Sequence, residues 1–302
     1  MTDHAALLRE LAHPRLVGTE RHARIRDVLK RELTARGFVV MEHRFRARPS
    51  RLLRGVRAVD AVNLVAARPR ARVAVWLVAH YDSKGQPLSM ATRLVAVALL
   101  GLGVLGLCGA VVGLVLLGWG WSLVWIGALA PGLAGTALLA RNRVTDDSPG
   151  AVDNASGIVA ALAAVDALAP DAPVGVVLPD AEELGLAGAR ALVRERAHLF
   201  AGSAVVNFDG IDDRGRTIVF RHRGGPIGDA VAAALGARPH RLLPVLVDGV
   251  VLRRAARECV TVLRGDWHTA RIVHTPRDTA ERLTLRGVEA VAAGVAAALT
   301  AR

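Results

Sequence analysis

Apolar residues are arranged along this chain in three ways, each predicting a different kind of element. Residues 3–12 and about 20–36 space them helically; in the second segment Ile25, Val28, Leu29 and Leu33 share a face and Gly37 stops the run. Shorter, β-branched runs read as strands: Phe38–Phe45, Ala58–Ala66, Ala71–Ala79, Val174–Leu178, Ala204–Phe208, Thr217–Phe220 and Cys259–Leu263. Helical patterns follow several of them, from Gly157 to about Leu168, Leu184 to Leu199, Gly228 to Leu235 and Leu285 to Ala301. Strands that alternate with helices indicate a layered α/β fold.

The third pattern has no polar face. Leu94–Gly118 and Trp121–Ala140 are free of charge, and each is about as long as the 20 residues a helix needs to cross a bilayer. The connection Trp119-Gly120-Trp121-Ser122 is so short that the two helices must be antiparallel neighbours. Trp119, Trp121 and Trp125 suit one membrane interface, and Gly101, Gly106, Gly109 and Gly113 suit close helix contact. Pro131 is compatible with a spanning helix. Arg93 precedes the pair, Arg141 and Arg143 follow it, and its tip is uncharged. By the positive-inside rule both ends, and the remaining chain with them, lie in the cytoplasm. The first ten residues include Asp3, Arg9 and Glu10, with no apolar core, so no signal peptide is expected. The expected division is thus a domain made of residues 1–90 and 141–302, with residues 91–140 as an inserted transmembrane hairpin facing lipid through residues 94–140.

Composition adds little to this. The mean hydropathy of +0.35 is concentrated in the hairpin. The net charge of +12 comes almost wholly from arginine, since Lys30 and Lys84 are the only lysines. The arginines are scattered and aromatics are 4%, so no nucleic-acid partner is expected; genome composition and attraction to an anionic membrane surface are equally good readings of the charge. Cys108 and Cys259 lie far apart, and neither a disulfide nor thiolate metal ligation is expected.

Polar residues punctuate the strands. His80 ends one apolar strand, Asp180, Glu182 and Glu183 follow a second, and Asp209 ends a third. Asp153 precedes a helix and His274 lies in a polar loop. If the strands are parallel, these groups meet at one sheet edge, where open α/β sheets bind ligands. Two imidazoles and several carboxylates together suit Zn²⁺, though each residue alone is as readily a helix cap or a loop former.

Five segments in order resemble the co-catalytic di-zinc aminopeptidase family, which includes aminopeptidase Y and glutamate carboxypeptidase II. They are residues 79–83 (Ala-His-Tyr-Asp-Ser), residues 149–157 around Asp153, residues 180–188 around Glu182 and Glu183, Asn207-Phe208-Asp209, and His274-Thr275 with Asp278-Thr279. Pro14-Arg15-Leu16-Val17-Gly18-Thr19 is similar to the start of that domain.

The resemblance implies a three-layer α/β/α fold with a central mixed, mostly parallel sheet, and two Zn²⁺ ions. It implies that Asp153 bridges them, with His80 and Asp209 completing one site and Glu183 and His274 the other. Glu182 is implied as general base and Asp82 as the residue holding the His80 ring. Asp180 remains as support, and a cis peptide at Asp153-Asn154 is implied. The expected activity is removal of N-terminal residues from peptides by a membrane-anchored enzyme. A carboxypeptidase-type or other amide hydrolase, and a non-catalytic membrane scaffold, are the alternatives. The family normally separates the His80 and Asp153 positions by a short loop, so the hairpin is a departure. It leaves and returns beside two of the implied ligands, so the site is expected close to the membrane.

Overall fold

The computed structural model describes residues 3–49, 55–69, 72–118, 123–241 and 245–301. Eight strands form one sheet: β1 (Val39–Ala47), β2 (Val59–Ala67), β3 (Val75–Val78), β4 (Val174–Leu178), β5 (Ala204–Ile211), β6 (Arg216–Arg223), β7 (Pro239–His240) and β8 (Glu258–Gly265). Their spatial order is β1-β2-β4-β3-β5-β8-β6-β7. The centre, β4-β3-β5-β8, is parallel, whereas β1 with β2, β2 with β4, and β6 with β8 pair antiparallel. The fold is therefore α/β with a mixed, mostly parallel sheet.

The alternation along β3 shows how the layers arise. Val75 and Leu77 point into one core and Trp76 and Val78 into the other, and all four are buried. A strand covered on both faces has no polar positions, which is why β3 and β4 read as unbroken apolar runs. One face is covered by α1 (His4–Leu11), α2 (Glu20–Ala35), α5 (Ser156–Asp166), α7 (Pro226–Ala234) and α10 (Arg286–Thr300). The other is covered by α6 (Ala187–Glu195) and the single turn α8 (Gly249–Leu252).

Two elements differ instructively from the sequence pattern. The helix expected from Leu184 begins only at Ala187. Ala181 and Leu186 adopt left-handed backbone conformations (φ 54° and 60°), and Glu182–Leu184 forms a 3₁₀ turn between them. The short helix α9 (Trp267–Ile272) was not expected at all, although Asp266 and Thr269 cap it reciprocally. The strand expected from Ala71 is realised only from Val75, and Ala71 lies outside the described residues.

Between β3 and α5 the chain forms α3 (Met90–Leu117) and α4 (Leu123–Arg141). Ser89 caps α3 through its Oγ, which accepts the Thr92 amide at 3.2 Å. Trp119 and Trp121, and the connection they sit in, lie outside the described residues, and Trp125 is buried. The helices meet at Gly103 against Gly132, Gly106 against Ala128, and Gly135 against Ala96. Gly101 and Gly109, expected at this contact, have open space around them. They lie off the seam that Gly103 and Gly106 define. A side chain at Gly103 would overlap the backbone of Gly132, so Gly103→Leu is expected to force the pair apart, read as increased proteolysis within α3 and α4. Among the described residues, α3 is the one helix long and apolar enough to cross a membrane, and only 17% of its most apolar window is buried.

Candidate metal centre

The C-terminal ends of β3, β4 and β5 lie side by side because these strands are parallel and in register, Val78 opposite Val177 on one side and Asn207 on the other. Everything that follows them is delivered to one edge. His80 comes two residues after β3, the Glu182–Leu184 turn follows β4, and Asp209 sits at a bulge in β5 between Phe208 and Ile211. Asp153 lies in a tight turn, Ala151–Ala155, that leads directly into α5, and its peptide bond to Asn154 is cis. His274 follows α9 with a left-handed backbone (φ 65°).

These residues form two groups whose ligand atoms lie within 4.8 Å of one another: His80, Glu182 and Asp209, and Asp153, Glu183 and His274. Asp153 connects them. Its Oδ1 is 3.1 Å from His80 Nε2 and its Oδ2 is 2.8 Å from His274 Nε2, which is also 2.8 Å from Glu183 Oε1. His274 Nε2 and Glu183 Oε1 are buried without a properly directed hydrogen bond. Imidazole nitrogens facing carboxylate oxygens in a dry site need a positive charge between them, supplied by protons or by metal ions. The donor set of imidazole nitrogen and carboxylate oxygen fits Zn²⁺.

The protonation pattern reflects that crowding. Burial, reinforced by Glu183, Asp209 and Asp248, pushes Glu182 well above the usual carboxylate range against the pull of His80. Burial raises Asp209 in the same way, with Asp153 and Asp248 adding to it. Burial would also raise Asp153, but its bonds to His274 and His80 hold it well below its ordinary value. Burial acts on Glu183 too, yet His274 and Lys84 bring it down to about 2. His80 is raised despite burial, because Glu182, Asp153 and Asp82 surround it.

A layer of buried polar groups fixes this arrangement. The Asp82 carboxylate accepts the backbone N–H of Glu182 at 3.0 Å and of Glu183 at 3.1 Å. Its Oδ1 is 3.5 Å from His80 Nδ1, and that nitrogen lies closer, at 3.2 Å, to the Asp82 carbonyl oxygen. Asp82 thus aims the glutamate turn as much as the histidine ring. Asp82→Asn would place an amide NH₂ against one of those N–H groups. The expected result is a 10- to 100-fold loss of metal affinity, of the size typical for groups that orient ligands, with little change in global stability by thermal melting.

Asp278 accepts the N–H of Val152 at 2.7 Å and of Asp153 at 3.1 Å, holding the turn that carries Asp153. Asn154 donates to the Phe208 carbonyl at 2.8 Å and ties that turn to β5. Asp180 braces the start of the glutamate segment: it receives the Val62 amide at 2.7 Å and lies 2.9 Å from the Tyr81 hydroxyl and 2.8 Å from His22 Nε2. Arg15 is fully buried and donates to the carbonyls of Tyr81, Pro149 and Gly150, joining the loops that carry His80 and Asp153.

Three groups here were not singled out by sequence reasoning. Lys84 Nζ is buried 2.7 Å from Glu183 Oε2. Asp248, at the start of α8, is fully buried with neither carboxylate oxygen hydrogen-bonded among the described residues, and burial raises it to about 7. Arg93, expected as a flanking charge, lies in the first turn of α3, where its guanidinium meets His274 Nδ1. Only the motif position of Lys84, four residues past His80, offered a signal; Asp248 and Arg93 reach the site through tertiary packing. A cleft of about 380 Å³ opens beside Asp153 and Asp209, walled by Met90 of α3, Val245, Leu263, Trp267 and Val273.

Solved structures similar to this chain include a glutaminyl cyclase of Porphyromonas gingivalis (17% identity, TM-score 0.63, covering 99% of this chain and 96% of that one). A Zn-dependent exopeptidase of Parabacteroides distasonis matches with 15% identity and TM-score 0.65, covering 99% of this chain and 97% of that one. A leucine aminopeptidase precursor of Bacteroides thetaiotaomicron matches with 14% identity and TM-score 0.63, covering 99% and 96%. At these identities the likeness is one of fold. Among curated protein sequences none matches. The model of peptidase family M28 matches residues 63–299, which span β2 through α10 and include every residue of the two ligand groups, and the chain belongs to that family.

Proposed function

We propose that this protein is a membrane-anchored zinc aminopeptidase that removes N-terminal residues from peptides. The observation that carries the reading is Asp153, whose two oxygens each face a different buried histidine, with Glu182 packed beside them. His80, Asp153 and Asp209 would hold one zinc ion, and Asp153, Glu183 and His274 the other. When bound, the ions supply Lewis acidity to the attacking water and the scissile carbonyl.

The chain's own residues do the remaining work. Glu182 takes a proton from the water and returns it to the leaving amine. A carboxylate serves both halves of that task, accepting the proton as a base and releasing it as an acid. Lys84 Nζ, 2.7 Å from Glu183 Oε2, favours the ionised form that ligation needs, so the adjacent glutamates divide between proton transfer and ligation. The apolar walls of the cleft would exclude water around the N-terminal side chain of the substrate.

Anchoring is supported by α3, along which Val97, Leu102, Val104, Leu105, Val115 and Leu116 are exposed. So large an exposed apolar surface needs lipid or a partner to cover it. Arg141 and Arg143 at its base favour a cytoplasmic catalytic domain. A reporter fused after Ser122 should read out as non-cytoplasmic; a cytoplasmic signal would remove this topology.

The activity is tested by measuring metal content and hydrolysis of a panel of aminoacyl anilides in detergent, with and without chelator. Hydrolysis of free but not N-blocked substrates supports an aminopeptidase. Cleavage of N-blocked peptides instead supports a carboxypeptidase-type enzyme, and a metal-loaded protein with no turnover supports a scaffold. The likeness to glutaminyl cyclases makes cyclisation of an N-terminal glutamine the second reading, identified by ammonia release without peptide cleavage.

Metal loading should also be coupled to protons. In the metal-free protein His80 and Asp209 bind protons more tightly than usual, and those protons compete with the metal. As pH rises through their raised pKa values the competition falls, so zinc affinity is expected to increase with pH. Calorimetry in buffers of different ionisation enthalpy should detect net proton release; an affinity independent of pH would contradict this.

A further inference from the structure

The arginines that look scattered along the sequence gather at one edge of the fold. β1 pairs antiparallel with β2, and β2 antiparallel with β4, so β1 runs in the same direction as β3 and β4. Its C-terminal end therefore lies at the edge from which the chain leaves for α3. Arg44 and Arg46 occupy that end of β1, Arg48 follows it, and all three are exposed. Beside them, Arg190 and Arg194 project from α6, and the five side chains line a groove of about 620 Å³ between the strand and the helix.

The end of β1 that lines the groove and the base of the apolar hairpin lie on the same edge of the sheet. β1 is three strands from β3, about 14 Å at the usual strand spacing. Gly55, eight residues past β1, packs against the backbone of Val144, just after α4. Thr145 bridges back to Gly85, and the Leu88 amide lies 3.4 Å from Asn142 Oδ1, so both hairpin stems close at this point. Arg57, Arg141 and Arg143 are exposed there.

Their pairing is incomplete. Arg44 is matched by Glu42, Arg46 by Asp60 and Arg194 by Glu195. Arg48 and Arg190, like the three arginines at the hairpin base, have no acidic partner within 4.0 Å among the described residues. A fold that places unneutralised guanidinium groups around the stem of an apolar hairpin presents them where lipid phosphates would lie. Arginine is suited to that contact, because its planar fork binds phosphate oxygens in pairs.

We propose that the arginine-lined groove between β1 and α6, extended by the arginines at the hairpin base, is a docking surface for anionic phospholipid head groups. It would hold the catalytic domain down on the leaflet in a fixed orientation, so that the hairpin is a tether and the groove a second, electrostatic contact. This rests on the reading of residues 94–140 as membrane-embedded.

The test uses the full chain in detergent, titrated with phosphatidylglycerol or phosphatidylcholine and followed by native mass spectrometry, with hydrogen exchange of the same chain in nanodiscs of either lipid. Phosphatidylglycerol is expected to be retained preferentially and to protect residues 44–48 and 187–195. The R48Q/R190Q double variant should weaken its retention about 25-fold, about fivefold for each arginine, while turnover of a soluble substrate stays unchanged. Equal retention of both lipids, or an unaltered affinity in the variant, overturns the proposal. Equal protection by inorganic phosphate alone also overturns it, since the groove would then be a site for free anions. Alkaline carbonate extraction separates the two readings. Release of the chain without detergent rejects membrane insertion, and the lipid titration still decides the groove.

Discussion

Glu182→Gln is expected to lower kcat by 10²- to 10⁴-fold, the contribution typical of a positioned acid–base group, and to leave the bound metal unchanged. Glutamine keeps the size and the backbone contacts of the native residue, so the N–H groups held by Asp82 stay in place. What is lost is the ability to accept a proton. The same experiment decides between two roles for this side chain, because Glu182 also lies within ligand distance of His80 and Asp209. A base leaves the metal stoichiometry intact when neutralised. A ligand would lower it by one ion, measured by elemental analysis of the purified variant beside wild type. Wild-type turnover would remove Glu182 from the chemistry altogether.

Asp153→Asn should have the larger effect on the site as a whole. One carboxylate serves both histidines, through Oδ1 towards His80 and Oδ2 towards His274. The amide can present an oxygen to only one of them and must turn an NH₂ towards the other. Both metal positions are expected to empty at concentrations that saturate the wild type, and hydrolysis to fall below detection. In the metal-free protein the variant also removes an anion that stabilises the protonated form of His80, so the His80 pKa should drop, observable by NMR titration. Removing one member of a buried charged pair typically costs about 3–5 kcal/mol. A lower melting temperature of the metal-free variant is therefore expected even before metal is considered. Retention of two metal equivalents would show that Asp153 does not join the two positions.

The two effects differ because the two residues are held differently. Glu182 follows a left-handed residue at Ala181 and projects from a 3₁₀ turn, so its carboxyl group stands apart from Glu183. Asp153 is clamped on both sides, by Asp278 at its amide and by the bond from the next residue, Asn154, to the Phe208 carbonyl of β5. Neither clamp could be inferred from proximity in sequence, since Asp278 is 125 residues away and Phe208 is 54 residues from Asn154.

Much of the layout was nevertheless legible in the residues. β3 and β4 are apolar on both faces and β5 begins as an apolar run, so all three stand out, and the polar residues that follow mark where the chain turns from sheet to site, although they too are buried. That change points to His80, Asp180 and the Asn207–Asp209 segment, and the resemblance to the zinc peptidases selects Asp209 and the glutamate pair among their neighbours. The helix pair is legible for a related reason: charge is absent over two long adjoining spans. Its seam was not, because Gly101, Gly103, Gly106 and Gly109 are alike in sequence and only the crossing of two helices selects Gly103 and Gly106.

By itself, then, the sequence determined most of the element types, the layered α/β plan, the charge-free insert and the residue types available to bind metal. These follow from local periodicity and from the cost of burying polar groups. Tertiary structure alone decided which polar groups face one another. It brought Lys84 to Glu183, buried Asp248 without a hydrogen-bond partner among the described residues, set Arg93 against His274 and gathered the arginines of β1 and α6 in one groove. The physical reason is that such contacts depend on strand order and crossover direction. β4 lies between β2 and β3, and no local pattern within 174–178 encodes which strands will flank it.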